Sequence, residues 1–118
     1  MSAQETITAF LSRARIAQEA AAQYTQEETD LVCTAVAWEM YQDDNIRQLA
    51  QLAVSETGMG TVADKVQKHK NKVMGVIDDV RGVRSVGLIE TDEKRGLRKY
   101  AKPVGVVAAL TPVTNPTA

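Results

Sequence analysis

The sequence predicts an α/β fold of N-terminal helices, a β-hairpin and one buried strand, and three features of its 118 residues carry that reading. Apolar residues recur at three- and four-residue spacing up to about residue 81, and the period changes to two after Gly82. A valine-rich run, Val104 to Leu110, then follows between Pro103 and Pro112. Such an uninterrupted run is what a strand covered on both faces looks like, and strands of that kind belong to parallel sheets. Its backbone amides and carbonyls need neighbours on both sides, which a hairpin alone does not supply. The fold is therefore expected to be incomplete, with more chain or another subunit beside the strand.

The first helix is expected from about Thr6 to Ala22, with Ile7, Phe10, Leu11, Ala14, Ala17 and Ala21 forming one stripe. A capping box, Thr25-Gln26-Glu27-Glu28, opens a second helix that continues to about Gln42. Its apolar residues, from Leu31 and Val32 to Met40 and Tyr41, leave little polar surface and mark a candidate interface. Asp43 or Asp44 is expected to cap a third helix carrying Ile46, Leu49, Ala50, Ala53 and Val54, and Gly58 to end it. Thr61 with Asp64 opens a fourth, whose face runs through Val62, Val66, His69, Val73, Val76, Ile77 and Val80. The helices thus occupy about 6–81, the hairpin about 83–102, the buried strand about 104–110, and a polar loop 111–116. No linker or repeat divides the chain.

The hydrophobic fraction of 44%, the charged fraction of 25% and the net charge of -1 are ordinary for a globular protein and disfavour nucleic acid or anionic membrane as partners. A single cysteine, Cys33, excludes an intrachain disulfide framework. No signal pattern opens the chain and no apolar run approaches membrane-spanning length, so a cytoplasmic protein is expected.

Few residues offer chemistry. Cys33 lies in an apolar helix and is expected as a buried structural residue. His69, on the apolar stripe of the fourth helix, is expected as a packed histidine with one satisfied nitrogen rather than a general base. With one histidine and one cysteine, no metal site is expected. Lys65, Lys68, Lys70 and Lys72, with Lys99 and Lys102, read as solvated surface rather than a phosphate site. Gly58-Met59-Gly60 ahead of a helix is a weak anion-cradle signal. The strongest candidate is the loop from Thr111, because ligands of open α/β sheets bind beyond the carboxyl ends of the strands.

Three segments resemble the N-terminal region of CoA-acylating aldehyde dehydrogenases: Glu56-Thr57-Gly58-Met59-Gly60, Asp64-Lys65-Val66, and Lys102-Pro103-Val104-Gly105-Val106 continuing to Thr111-Pro112-Val113-Thr114-Asn115-Pro116. The order and spacing agree, the resemblance covers essentially the whole chain, and the Pro-x-Thr-Asn-Pro block distinguishes the acylating branch. It implies the opening part of a Rossmann-like NAD-binding domain. It also implies a reaction in which a cysteine adds to a short-chain aldehyde, hydride leaves for NAD, and coenzyme A takes the acyl group from the thioester. NADP remains an alternative to NAD. The substrate is open among acetaldehyde, propionaldehyde and a sulfonated aldehyde.

By the same resemblance, Leu110, Thr111, Pro112, Val113, Thr114 and Asn115 line the nicotinamide side of the cofactor site. The wider superfamily carries Pro-Trp-Asn-x-Pro here, its asparagine serving as oxyanion donor. Aligning the prolines puts Thr114 at that position and Asn115 one place later, so both are candidates. The family's catalytic cysteine lies far downstream, and Cys33 matches no catalytic position. This chain alone is therefore expected to be inactive, and the full-length protein to be a homo-oligomer. The alternative from another class is a non-catalytic helical interaction or oligomerisation module, resting on the apolar second helix. A further alternative makes the first helix a targeting peptide for a protein-shelled compartment, although only Gln23 and Tyr24 separate it from the next cap.

Overall fold

The structure, a computed structural model, describes residues 2–116. Four helices precede a two-stranded antiparallel sheet: α1 (Ala3–Ala21), α2 (Gln26–Tyr41), α3 (Asp43–Thr57), α4 (Val62–Val80), β1 (Gly87–Asp92) and β2 (Leu97–Ala101). This is the small α/β fragment the sequence predicts. None of its helices is long and apolar enough to cross a membrane, among the described residues. The chain forms two compact units, residues 2–30 with 84–108 and residues 31–83 with 109–116.

In the first unit, both helix starts are fixed by reciprocal side-chain bonds. The Ser2 hydroxyl accepts from Glu5 N at 3.2 Å while the Glu5 carboxylate accepts from Ser2 N at 2.7 Å. Thr25 and Glu28 repeat the arrangement at 3.2 and 2.8 Å. α1 therefore begins three residues before the expected Thr6. Its stripe lies open, with Ile7, Phe10 and Leu11 exposed.

The period-two stretch Val83–Val86 is not strand. The Gln26 side-chain oxygen accepts from Ser85 N at 2.8 Å and from Val86 N at 3.0 Å, so these amides are satisfied without a ladder. Pairing starts at Gly87↔Ala101 and ends at Asp92↔Leu97, with Ile89 bulged between Leu88 and Glu90. The cross-strand pair Glu90↔Lys99 carries an ion pair of 2.6 Å. Gln26→Ala should speed amide exchange at Ser85 and Val86 by several-fold, the scale of one net hydrogen bond of about 1 kcal/mol, while leaving the β1–β2 amides unchanged. Unchanged exchange at both amides would contradict this account of the segment.

The core lies in the second unit. Ile46, Ala50 and Ala53 form one buried ridge on α3, and Lys65, His69 and Val73 form another on α4, which packs against α3. Spacings of three and four residues put each set on one face. The Thr61 hydroxyl accepts from Asp64 N at 3.2 Å, starting α4 as expected. Gly58 ends α3 with φ 64°, a left-handed conformation that glycine adopts without steric cost. The cap of α3 differs from expectation: Gln42 occupies it without a side-chain capping bond, its amide donating to the Trp38 carbonyl at 3.2 Å, and Asp43 instead meets Lys70 at 2.6 Å. The Lys70 ammonium holds the Asp43 carboxyl below the usual aspartate range. The contribution of this exposed pair is thus present above the unfolded pKa of Asp43 and lost as the pH falls through the folded one.

Residues 102–110 carry no strand, and Val104 is 91% and Leu110 100% exposed. The apolar run is present in sequence, but β1 and β2 pair only with each other, so no ladder partner reaches it.

Candidate functional site

Pro112 and Asn115 close a turn in the second unit: Asn115 N–H donates to the Pro112 carbonyl at 3.0 Å, with Val113 and Thr114 at its tip. Thr111, Pro112, Val113 and Thr114 are exposed and Asn115 is half-buried. Two threonines and the backbone of a proline-framed turn thus face outward, as a ligand-binding loop requires.

The turn is tied to α4. Lys65, whose residue is only 8% exposed, donates from Nζ to the Thr114 carbonyl at 3.2 Å. Its aliphatic stem passes the glycine turn that precedes the helix. A Cβ added at Gly60 would lie 3.6 Å from Lys65 Cε, and Gly60 itself has φ +72°. The glycine turn, the start of α4 and the Thr111–Asn115 loop are therefore linked through one side chain. Asp64, next to Lys65 in sequence, accepts instead from the Thr61 hydroxyl at 2.8 Å. Lys65 takes part in none of the ion pairs among the described residues.

Lys65 corrects the reading of this helix as carrying only solvated lysines. The signal was available: Lys65 precedes His69 by four residues and Val73 by eight, so it shares their buried ridge. Long lysine stems bury readily while the ammonium finds an acceptor.

His69 is packed as expected. It is 1% exposed, and its Nε2–H donates to the Met40 carbonyl at 2.8 Å, while Nδ1 is buried without a partner. Cys33 departs from expectation, since it is exposed. It lines an open groove of about 470 Å³ with Val32, Val36 and Met40 of α2 and Val76 and Val80 of α4. The apolar face of α2 is thus unpacked along this groove rather than covered on several sides. Among the described residues, no three of His, Cys, Asp and Glu converge to hold a metal ion.

No family model matches the sequence. Curated relatives do. The chain is 62% identical over 109 residues to a sulfoacetaldehyde dehydrogenase of Acholeplasma sp, covering 92% of this chain and 22% of that protein. It is 54% identical over 114 residues to an acylating sulfoacetaldehyde dehydrogenase of Bilophila wadsworthia, covering 97% of this chain and 25% of the relative. An acetylating succinate-semialdehyde dehydrogenase of Clostridium kluyveri is 38% identical over 116 residues, or 98% of this chain and 25% of its own length. The chain thus spans about a quarter of the length of these relatives, 22% to 25%. With three segments in the expected order and such identity across nearly all of its residues, the chain matches an N-terminal region of CoA-acylating aldehyde dehydrogenases.

Proposed function

We propose that this segment serves a longer oxidoreductase that converts a short-chain aldehyde, coenzyme A and NAD to an acyl-CoA and NADH through a cysteine thioester. The observation that carries the reading is the match of 97% to 98% of the chain to dehydrogenases named as acylating or acetylating. NAD supplies the hydride acceptor and coenzyme A the thiol that receives the acyl group. The residues of this chain fit a binding and orienting role. Leu110 to Asn115 present an exposed turn to the nicotinamide side of the site, and Thr114 or Asn115 offers the side-chain donor for charge developing on the carbonyl oxygen. The nucleophile comes from outside this segment, because Cys33 lies among aliphatic side chains of the groove with no base hydrogen-bonded to it among the described residues.

A sulfonated aldehyde is the first substrate to test, since relatives at 62%, 54% and 44% identity are named sulfoacetaldehyde dehydrogenases. The full-length protein, given sulfoacetaldehyde, succinate semialdehyde or acetaldehyde, should form NADH only when coenzyme A is present, with the acyl-CoA detected by mass. A free acid as the product, or no NADH with any aldehyde, would contradict the reading. The 118-residue chain by itself should neither form NADH nor gain an acyl mass at Cys33. NADH above a heat-killed control, or an acylated Cys33, would place catalytic chemistry within this segment and overturn the division proposed here.

The open groove between α2 and α4 favours a second reading, a non-catalytic helical interaction or oligomerisation module. A full-length protein that lacks dehydrogenase activity yet self-associates through this segment would support it.

A further inference from the structure

We propose that Lys65 is a positioning residue that sets the placement of the Thr111–Asn115 turn, and through it the orientation of the Thr114 and Asn115 side chains. The proposal rests on the functional reading above for its kinetic consequence, and on geometry alone for the tether itself. Two bonds bear on the turn, and they have different effects. The Asn115 N–H to Pro112 carbonyl bond closes the turn upon itself, which fixes its shape but not where it stands. The Lys65 Nζ to Thr114 carbonyl bond connects it to α4, 49 residues away in sequence. No other hydrogen bond or ion pair engages the Lys65 ammonium among the described residues, so it is directed to the loop.

Burial makes this contact consequential. Lys65 is 8% exposed as a residue, and the hydrogen bond of a charged donor is stronger than a neutral one. The anchoring end is packed as well. Lys65 lies one helical turn before His69, which is 1% exposed and bonded to the Met40 carbonyl. Its stem also runs beside Gly60. A larger residue at Gly60 would have to adopt φ +72° beside the lysine Cε, so the glycine turn and the lysine are coupled. Without the ammonium the turn would lose its bond to α4, and its closing bond, no longer held against the helix, would open more often. Displacement of about 1 Å of a group acting in a reaction can cost on the order of 10²-fold in rate.

The test uses the full-length protein with Lys65→Met, which keeps the stem and removes the donor, and Lys65→Arg, which keeps a cationic donor. In Lys65→Met, amide exchange at Asn115, whose N–H closes the turn, should rise on the order of tenfold or more, the equivalent of one charge-assisted bond. Exchange in α3 and α4 should be unchanged, and kcat should fall while KM for coenzyme A stays near the wild-type value. Lys65→Arg should restore slow loop exchange. Wild-type exchange at the loop in Lys65→Met would overturn the tether. A rise shared equally by α3 and α4 would also overturn it, because Lys65 would then be a stability residue only. If the wild-type full-length protein lacks acylating dehydrogenase activity, the functional reading fails, yet loop exchange still decides the tether.

Discussion

On the function proposed above, alanine at whichever of Thr114 and Asn115 donates to the developing oxyanion should lower kcat of the full-length protein by about 10²-fold or more, the scale seen when one preorganised donor is removed. The other substitution should act mainly on KM for NAD. Neither should change the melting temperature by more than a few degrees, because Thr114 is exposed, Asn115 is half-buried, and the Lys65 bond is made to a backbone carbonyl that alanine retains. Steady-state kinetics of Thr114→Ala and Asn115→Ala, with thermal unfolding as the folding control, separate the two roles. Near-normal kcat and KM in both variants would mean that only the backbone of this turn acts, and the side-chain assignment would be wrong.

The second large effect is on stability. Ile46 is 0% exposed and stands on the α3 ridge beside Ala50 and Ala53, small residues that cannot swing into a space left next to them. Ile46→Ala should therefore cost about 2–5 kcal/mol, the sum of lost transfer free energy and the cavity that remains. Chemical denaturation followed by far-ultraviolet circular dichroism checks it. A loss below about 1 kcal/mol would show that α3 does not rest on this residue. The contrast with Leu52, 52% exposed on the same helix, provides a control, since its truncation should change little.

Local chemistry was the legible part of the fold. Thr25 and Glu28 make their capping box because its atoms lie within one turn, and Gly58 ends α3 because only the backbone is involved. Ser2 and Glu5 carry the same signal, but the apolar period begins at Ile7 and drew the expected start inward. Tertiary partners were not legible. Asp43 reads as a cap yet pairs with Lys70, and Val83–Val86 reads as strand yet gives two amides to Gln26. The run Val104–Leu110 reads as a buried strand, and strand formation depends on ladder partners that pattern alone does not supply.

The candidate site divides in the same way. The turn itself was legible, since Pro112, Asn115 and Pro116 constrain a short polar segment locally, and the family resemblance assigned it to a cofactor. Its anchor was not, because a lysine is read by default as surface. The four-residue step from Lys65 to His69 and on to Val73 was the clue, and it carries more information than the chemical class of the side chain. Cys33 shows the opposite case: an apolar neighbourhood in sequence became the wall of an open groove, because pattern alone does not say what packs against a helix face.

The central claim is that Leu110 to Asn115 line the nicotinamide side of a cofactor site in the full-length protein. A crystal structure of that protein with NAD bound tests it most directly. The account predicts the nicotinamide ring in van der Waals contact, within about 4 Å, of at least one residue from Leu110 to Asn115, with the Lys65 to Thr114 bond intact. A nicotinamide bound elsewhere, with this loop packed against another element, would contradict it.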